Sequence, residues 1–118
     1  MTDRELLEMA AKAAGVVLTW GSKYMVGDDE VDCTDIPYAT SDSPDCAPYY
    51  WNPLEDDGDA LRLAVKLEID VNHGDTLVVA EKVRPIEYGV AEQKGTDPYA
   101  ATRRAIVRAA AEIGKEIK

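Results

Sequence analysis

Leu6, Leu7, Ala10, Ala13 and Ala14 recur at spacings of three and four, the period of a helix with one buried face. Just ahead of them, Thr2 and Glu5 form a capping box in which each side chain accepts an orphan backbone N–H. Gly15 supplies the left-handed stop. Val16, Val17, Leu18, Thr19 and Trp20 then switch to a β-branched run that predicts a strand. Gly21 and Ser22 read as a tight turn into a second strand over Lys23–Val26, so that the two strands pair as an antiparallel hairpin ending at Gly27.

Neither period holds from 28 to 50. Pro37, Pro44 and Pro48, among many Asp and Ser, mark a long loop, and loops of this length inside a compact domain tend to be functional or disordered. The aromatic group Tyr38, Tyr49, Tyr50 and Trp51 argues that the loop is anchored on its own domain. A helix then starts at one of two caps, Asn52 followed by Pro53 or Asp56 with Asp59 three residues on. Either start places Leu61, Ala64 and Val65, with Leu54, on the buried stripe.

Leu67, Ile69 and Val71 alternate with Glu68 and Asp70, the pattern of a strand with one face buried. His73, Gly74 and Asp75 turn the chain into residues 76–80, a second hairpin that continues through Val83 until Arg84 and Pro85 interrupt it. Residues 86–90 add a short edge strand. Thr96, Asp97 and Pro98 open the last helix with a cap and an N1 proline, and Ala101, Ala105, Ile106, Ala109, Ile113 and Ile117 draw its apolar face.

The order α-β-β-α-β-β-α predicts an α+β fold. It is a single domain over 1–118, with a mostly antiparallel four- or five-stranded sheet, three helices and an acidic insertion loop at 28–50. A length of 118 residues suits one domain. No apolar run reaches the ~20 residues a membrane span needs, and the acidic N-terminus lacks the basic start of a signal peptide, so a cytoplasmic protein is expected.

Charge changes the picture more than composition does. The formal net charge is −10, yet the stretch between Gly27 and Leu61 holds eleven acids and neither Lys nor Arg, which leaves the rest of the chain at +1. Such a balance argues against direct nucleic-acid binding, which needs a cationic face toward phosphates. It suits a basic protein partner steered by a concentrated negative field. Asp32, Asp35, Asp42, Asp45, Asp56 and Asp57 are the candidate partner-binding residues. Those near 55–59 also sit where a helix dipole favours acids.

Catalytic constellations are missing from the pattern. Cys33 and Cys46 lack the close spacing of a zinc pair, His73 falls in a turn, and the acids at 56–59 do not fit a calcium loop. No nucleophile elbow or phosphate-binding glycine loop occurs, so neither an enzyme, a metal nor a cofactor is expected. A different class of function remains: a pocket for an anionic metabolite or nucleotide, lined by Trp20, Tyr49 and Trp51 with Arg104 or Arg108 holding the anion. The competing reading of Arg104 and Arg108, four apart on one helix face, is pairing with the acidic middle of the same chain.

Two segments resemble a known group. Trp51, Asn52 and Pro53 followed by residues 60–67, and the Ala-rich stretch 97–110, look like small uncharacterised bacteriophage and prophage proteins of the ABA-sandwich type; residues 6–15 share the flavour. The resemblance implies helices on both faces of a sheet and a place in the host cytoplasm, and it carries no activity. Joined to the charge layout, it implies a non-enzymatic phage accessory protein. Such a protein would bind a host or phage protein with a basic surface, and its sharpest form inhibits a nucleic-acid-handling or defence complex in an anti-CRISPR-like manner.

Overall fold

The computed structural model describes residues 1–40, 47–82 and 88–117. Asp42, Asp45, Cys46, Val83, Arg84 and Pro85 lie outside the described residues. Among the described residues the chain forms α1 (Asp3–Ala14), β1 (Val17–Trp20), β2 (Lys23–Val26), β3 (Asp29–Asp32), β4 (Pro37–Thr40), β5 (Tyr49–Tyr50), α2 (Asp57–Leu67), β6 (Asp70–His73), β7 (Leu77–Lys82), β8 (Tyr88–Gln93) and α3 (Pro98–Glu116). The fold is α+β, as the periods indicate.

The single four- or five-stranded sheet is not formed. Three small antiparallel sheets take its place, in the orders β1-β4-β5, β2-β3 and β6-β7-β8. The difference begins at Gly21. It does not turn β1 onto β2; its amide donates to the Ile36 carbonyl at 2.9 Å. A Cβ at Gly21 would fall 2.2 Å from the Cys33 carbonyl oxygen, so the glycine is there for a close backbone crossing. β1 therefore pairs with β4, Val17 opposite Thr40 and Trp20 opposite Pro37. β2 turns at Gly27, whose φ is 63°, and pairs with β3, Val26 opposite Asp29. The loop expected to be structureless thus contributes three strands. They read Asp-Glu-Val-Asp, Pro-Tyr-Ala-Thr and Tyr-Tyr, too short and too poor in large aliphatic residues to show a period of two.

The helix caps follow the sequence closely. Thr2 accepts from the Glu5 amide at 3.1 Å, but the Glu5 carboxylate accepts from the Thr2 hydroxyl at 3.2 Å and not from the backbone N–H the capping box implies. Gly15 closes α1 at φ 70°. For α2 the cap is Asp56, which accepts from the Asp59 amide at 2.7 Å. Asn52 instead organises its own turn, accepting at its side chain from the Leu54 amide. Asp97 caps α3 through the Tyr99 and Ala100 amides.

The face of α2 is a correction. Of the expected stripe Ala64 is buried and Leu54 half-buried, but Leu61 and Val65 stand 64% and 69% exposed, and Ala60 and Leu63 complete the inward face. Both sets have spacings of three and four, so the pattern admits either register. The small residues win because they let α2 approach α3 closely.

α3 is the central element. It packs on α1, α2, β7 and β8, and is buried well beyond the expected stripe, through Val107, Ala110, Ala111 and Gly114 as well as Ala101, Ala105, Ile106 and Ala109. Ile113 is half-buried and Ile117 exposed. β7 turns Val78 and Ala80 into this core. The molecule is elongated, 50 × 34 × 23 Å with a radius of gyration of 15.6 Å, against about 13–14 Å for a compact chain of this length.

Candidate functional site

The acidic middle divides into two groups. At its downstream end the carboxylates serve the fold. Asp59, 6% exposed, accepts from the Asn52 amide at 3.0 Å and from the Arg62 guanidinium at 2.7 Å. Asp56 is the α2 cap and also lies 3.7 Å from Arg62. Asp57 accepts from Arg103 at 2.7 Å, and the same guanidinium donates to the Leu54 carbonyl. Glu55 accepts from the Tyr50 hydroxyl at 2.9 Å. Of the aromatic group expected to anchor this segment, Trp51 is buried beneath it, whereas Tyr49 and Tyr50 are exposed. Asp56 and Asp57 are therefore not spare charges.

At the upstream end the acids stand outside the body. β2 and β3 form a two-stranded ribbon that packs on itself and, among the described elements, barely on anything else. Asp28, Asp29, Glu30, Asp32 and Asp35 are exposed on and beside it, opposed within the ribbon only by Lys23, which lies 3.9 Å from Glu30. Asp32 accepts from the Thr34 amide at 2.9 Å and the Thr34 hydroxyl at 2.6 Å. These bonds hold its carboxyl below the usual carboxylate range, with Lys23 adding a smaller effect.

The ribbon has two chemically different faces. The register sets Lys23 against Asp32 and Met25 against Glu30 on one face, and Tyr24 against Val31 and Val26 against Asp29 on the other. Tyr24, Met25 and Val26 are 51%, 62% and 58% exposed. The Tyr24 hydroxyl lies beside the Cys33 thiol, and that contact raises its pKa. A lone hairpin is marginal in water, and this one carries an uncovered apolar face. Tyr24 and Val26 are surface residues that the strand period alone does not reveal. Gly27-Asp28 between Val26 and Asp29 is the same Gly-X hairpin signal as Gly21-Ser22, so the local pattern admits either turn.

The alternative ligand residues do not converge. Trp20 and Arg104 line one open cleft of about 410 Å³ with Arg4, Asn52 and three acids, Asp3, Asp35 and Glu55. Arg4 stacks over the Trp20 ring at 4.2 Å. Arg104 is engaged by Asp3 at 3.0 Å and Glu92 at 3.8 Å. Arg108 belongs to neither wall of that cleft; it donates to Glu92 at 2.6 Å. Tyr49 and Trp51 border a different hollow, with Arg62 and Lys66. Pairing of Arg104 and Arg108 within the chain is observed, but with Asp3 and Glu92 and not with the acidic middle, which Arg103 meets through Asp57.

Among the described residues no three His, Cys, Asp or Glu side chains gather to hold a metal ion, and no helix is long and apolar enough to cross a membrane. Comparison with protein-family models, curated proteins and solved structures finds no match to this chain.

Proposed function

We propose that this chain is a non-enzymatic protein-binding module that meets a basic partner surface through its acidic ribbon. The observation that carries the reading is the contrast between the two acidic groups. The carboxylates at 55–59 are consumed by caps and ion pairs, whereas those at 28–35 are exposed on and beside the ribbon, where Asp32 caps its own turn at Thr34 and Lys23 is the one cation of the ribbon, 3.9 Å from Glu30. Exposed acids of one sign steer a basic partner and raise its association rate. Taken with the phage-like helices, the partner is a host or phage protein in the host cytoplasm. The sharpest version is anti-CRISPR-like: the acidic surface occupies a site that a defence or nucleic-acid-handling complex keeps for phosphates. Function requires no cofactor.

The test is capture from bacterial lysate with two baits, the natural chain and a variant carrying Asp29→Lys, Glu30→Lys and Asp35→Lys. The expected result is a partner held by the natural chain in low salt and lost both from the variant and on raising salt. Capture of no protein at low salt, or the same proteins on both baits, overturns the reading.

A second reading is favoured by the cleft that joins Trp20 to Arg104: a site for a small anionic ligand. A thermal-shift screen of nucleotides and carboxylate metabolites tests it, with a rise in Tm that disappears in Arg104→Ala as the supporting outcome.

A further inference from the structure

The ribbon shows more than charge. The Cys33 amide donates to the Ser22 carbonyl, which makes 22/33, 24/31 and 26/29 the hydrogen-bonded pairs of the ladder. By alternation, Glu30 and Asp32 turn their backbone N–H and C=O groups away from β2. Among the described residues no strand meets them, so β3 is an open edge. Proteins ordinarily blunt such edges with lysine, proline or a covering loop, because an open edge is a template for another strand. The edge of β2 carries Lys23 as its deterrent. The edge strand β3 carries three acids around Val31, which deter an acidic strand and invite a basic one.

Building on the protein-binding reading, we infer that β3 recruits its partner by strand addition, pairing with an extended segment in which basic and apolar residues alternate. The alternation follows from the two faces. A strand laid along β3 places every second side chain beside Glu30 and Asp32, where Lys or Arg is complementary. The intervening side chains fall beside Val31, with Asp29 at the turn end, on the face where Tyr24 and Val26 stand uncovered; an apolar residue is complementary at Val31. Main-chain hydrogen bonds at Glu30 and Asp32 supply affinity, and the two faces supply selectivity. The added strand also extends the apolar face beside Val31 and gives the marginal two-stranded ribbon the third strand it lacks.

Three short capped peptides test this on the intact protein at low salt, read by calorimetry and by exchange of the ribbon amides. The first alternates lysine and valine. The second has the same composition in blocks, which destroys the period of two. The third, made in two forms, is the first peptide N-methylated either at its lysines or at its valines, which keeps its charge and removes the ladder donors of one edge or the other. Strand addition predicts that the first binds, that the second is weaker, and that N-methylation on the pairing edge weakens binding about tenfold or more. It also predicts slowed exchange at the Glu30 and Asp32 amides and unchanged exchange at Lys23 and Met25. Equal affinity for all three peptides overturns strand addition and leaves the acidic-surface reading standing. Absence of binding by any of them overturns strand addition too, while the two-bait capture decides the broader reading separately. A free chain that is dimeric, and becomes monomeric on Val26→Lys, assigns the face to a second copy and overturns the inference.

Discussion

Gly114 of α3 lies so close to Met9 of α1 that a Cβ built on the glycine falls 2.0 Å from the Met9 carbonyl oxygen. Both atoms of this clash belong to backbone or sit next to it, so no side chain can swing away. The glycine sets the distance between the two helices that bury most of the alanines. Gly114→Ala must push α1 and α3 apart, and overpacking of this kind costs about 1–3 kcal/mol. The expected outcome is a fall in Tm of roughly 5–15 °C, although alanine is the better helix former. A Tm equal to or above that of the natural chain would show that the helices do not approach at this point.

The outward face of α2 is a second test. Leu61→Lys and Val65→Lys should change stability by no more than about 0.5 kcal/mol, because both side chains already face solvent. Leu63→Ala should cost about 2–5 kcal/mol, since Leu63 is buried. Chemical denaturation of the three variants measures this directly, and the reverse order would restore the register that the sequence also permits.

Asp59 holds the turn before α2 by accepting from the Asn52 amide, and it shares Arg62 with the cap residue Asp56. Asp59→Ala leaves a buried N–H without an acceptor, a loss of about 1–3 kcal/mol. Glu112→Ala, which removes an exposed partner of Lys115, should cost about 0–0.5 kcal/mol. Equal effects in urea melts would mean that the Asn52–Asp59 bond contributes nothing.

Asp32 supplies a pH prediction. Its carboxyl is held below the ordinary value first by the Thr34 hydroxyl and then by the Thr34 amide. A group with a depressed folded pKa contributes stability that is complete above its unfolded pKa and lost as pH falls through the folded one. The turn at 32–34 should therefore loosen only on the acid side of the usual carboxylate range. Thr34→Ala removes the stronger donor, and the carboxyl carbon of Asp32 should then titrate at higher pH by NMR. An unmoved midpoint would show that the hydroxyl bond is not made in solution.

Much of the helical architecture was legible locally. Capping and helix termination are contests among neighbouring residues, so Thr2 with Glu5, Gly15, and Asp97 with Pro98 declare their helices without help from the rest of the chain. The hairpin around Gly74 is of the same kind, its amide reaching the Leu77 carbonyl. The choice between Asn52 and Asp56 as the α2 cap was not local. It was decided by Asp59, whose carboxylate is fixed by a backbone amide seven residues away.

By itself, the sequence determined the α+β class, the three helices, the lopsided charge and the burial of Trp51, all of which depend on composition or on contacts a few residues apart. Tertiary structure decided which strands meet, which face of α2 is inward and which carboxylates are free. Gly21 reads as a turn until Cys33 is found against it; Leu61 reads as core until Ala60 and Ala64 are seen to seat α2 on α3. Asp57 and Glu30 are indistinguishable as letters. One meets Arg103 from forty-six positions away and the other stands on an open strand edge, because the energy of a charge is set by what the fold brings to it.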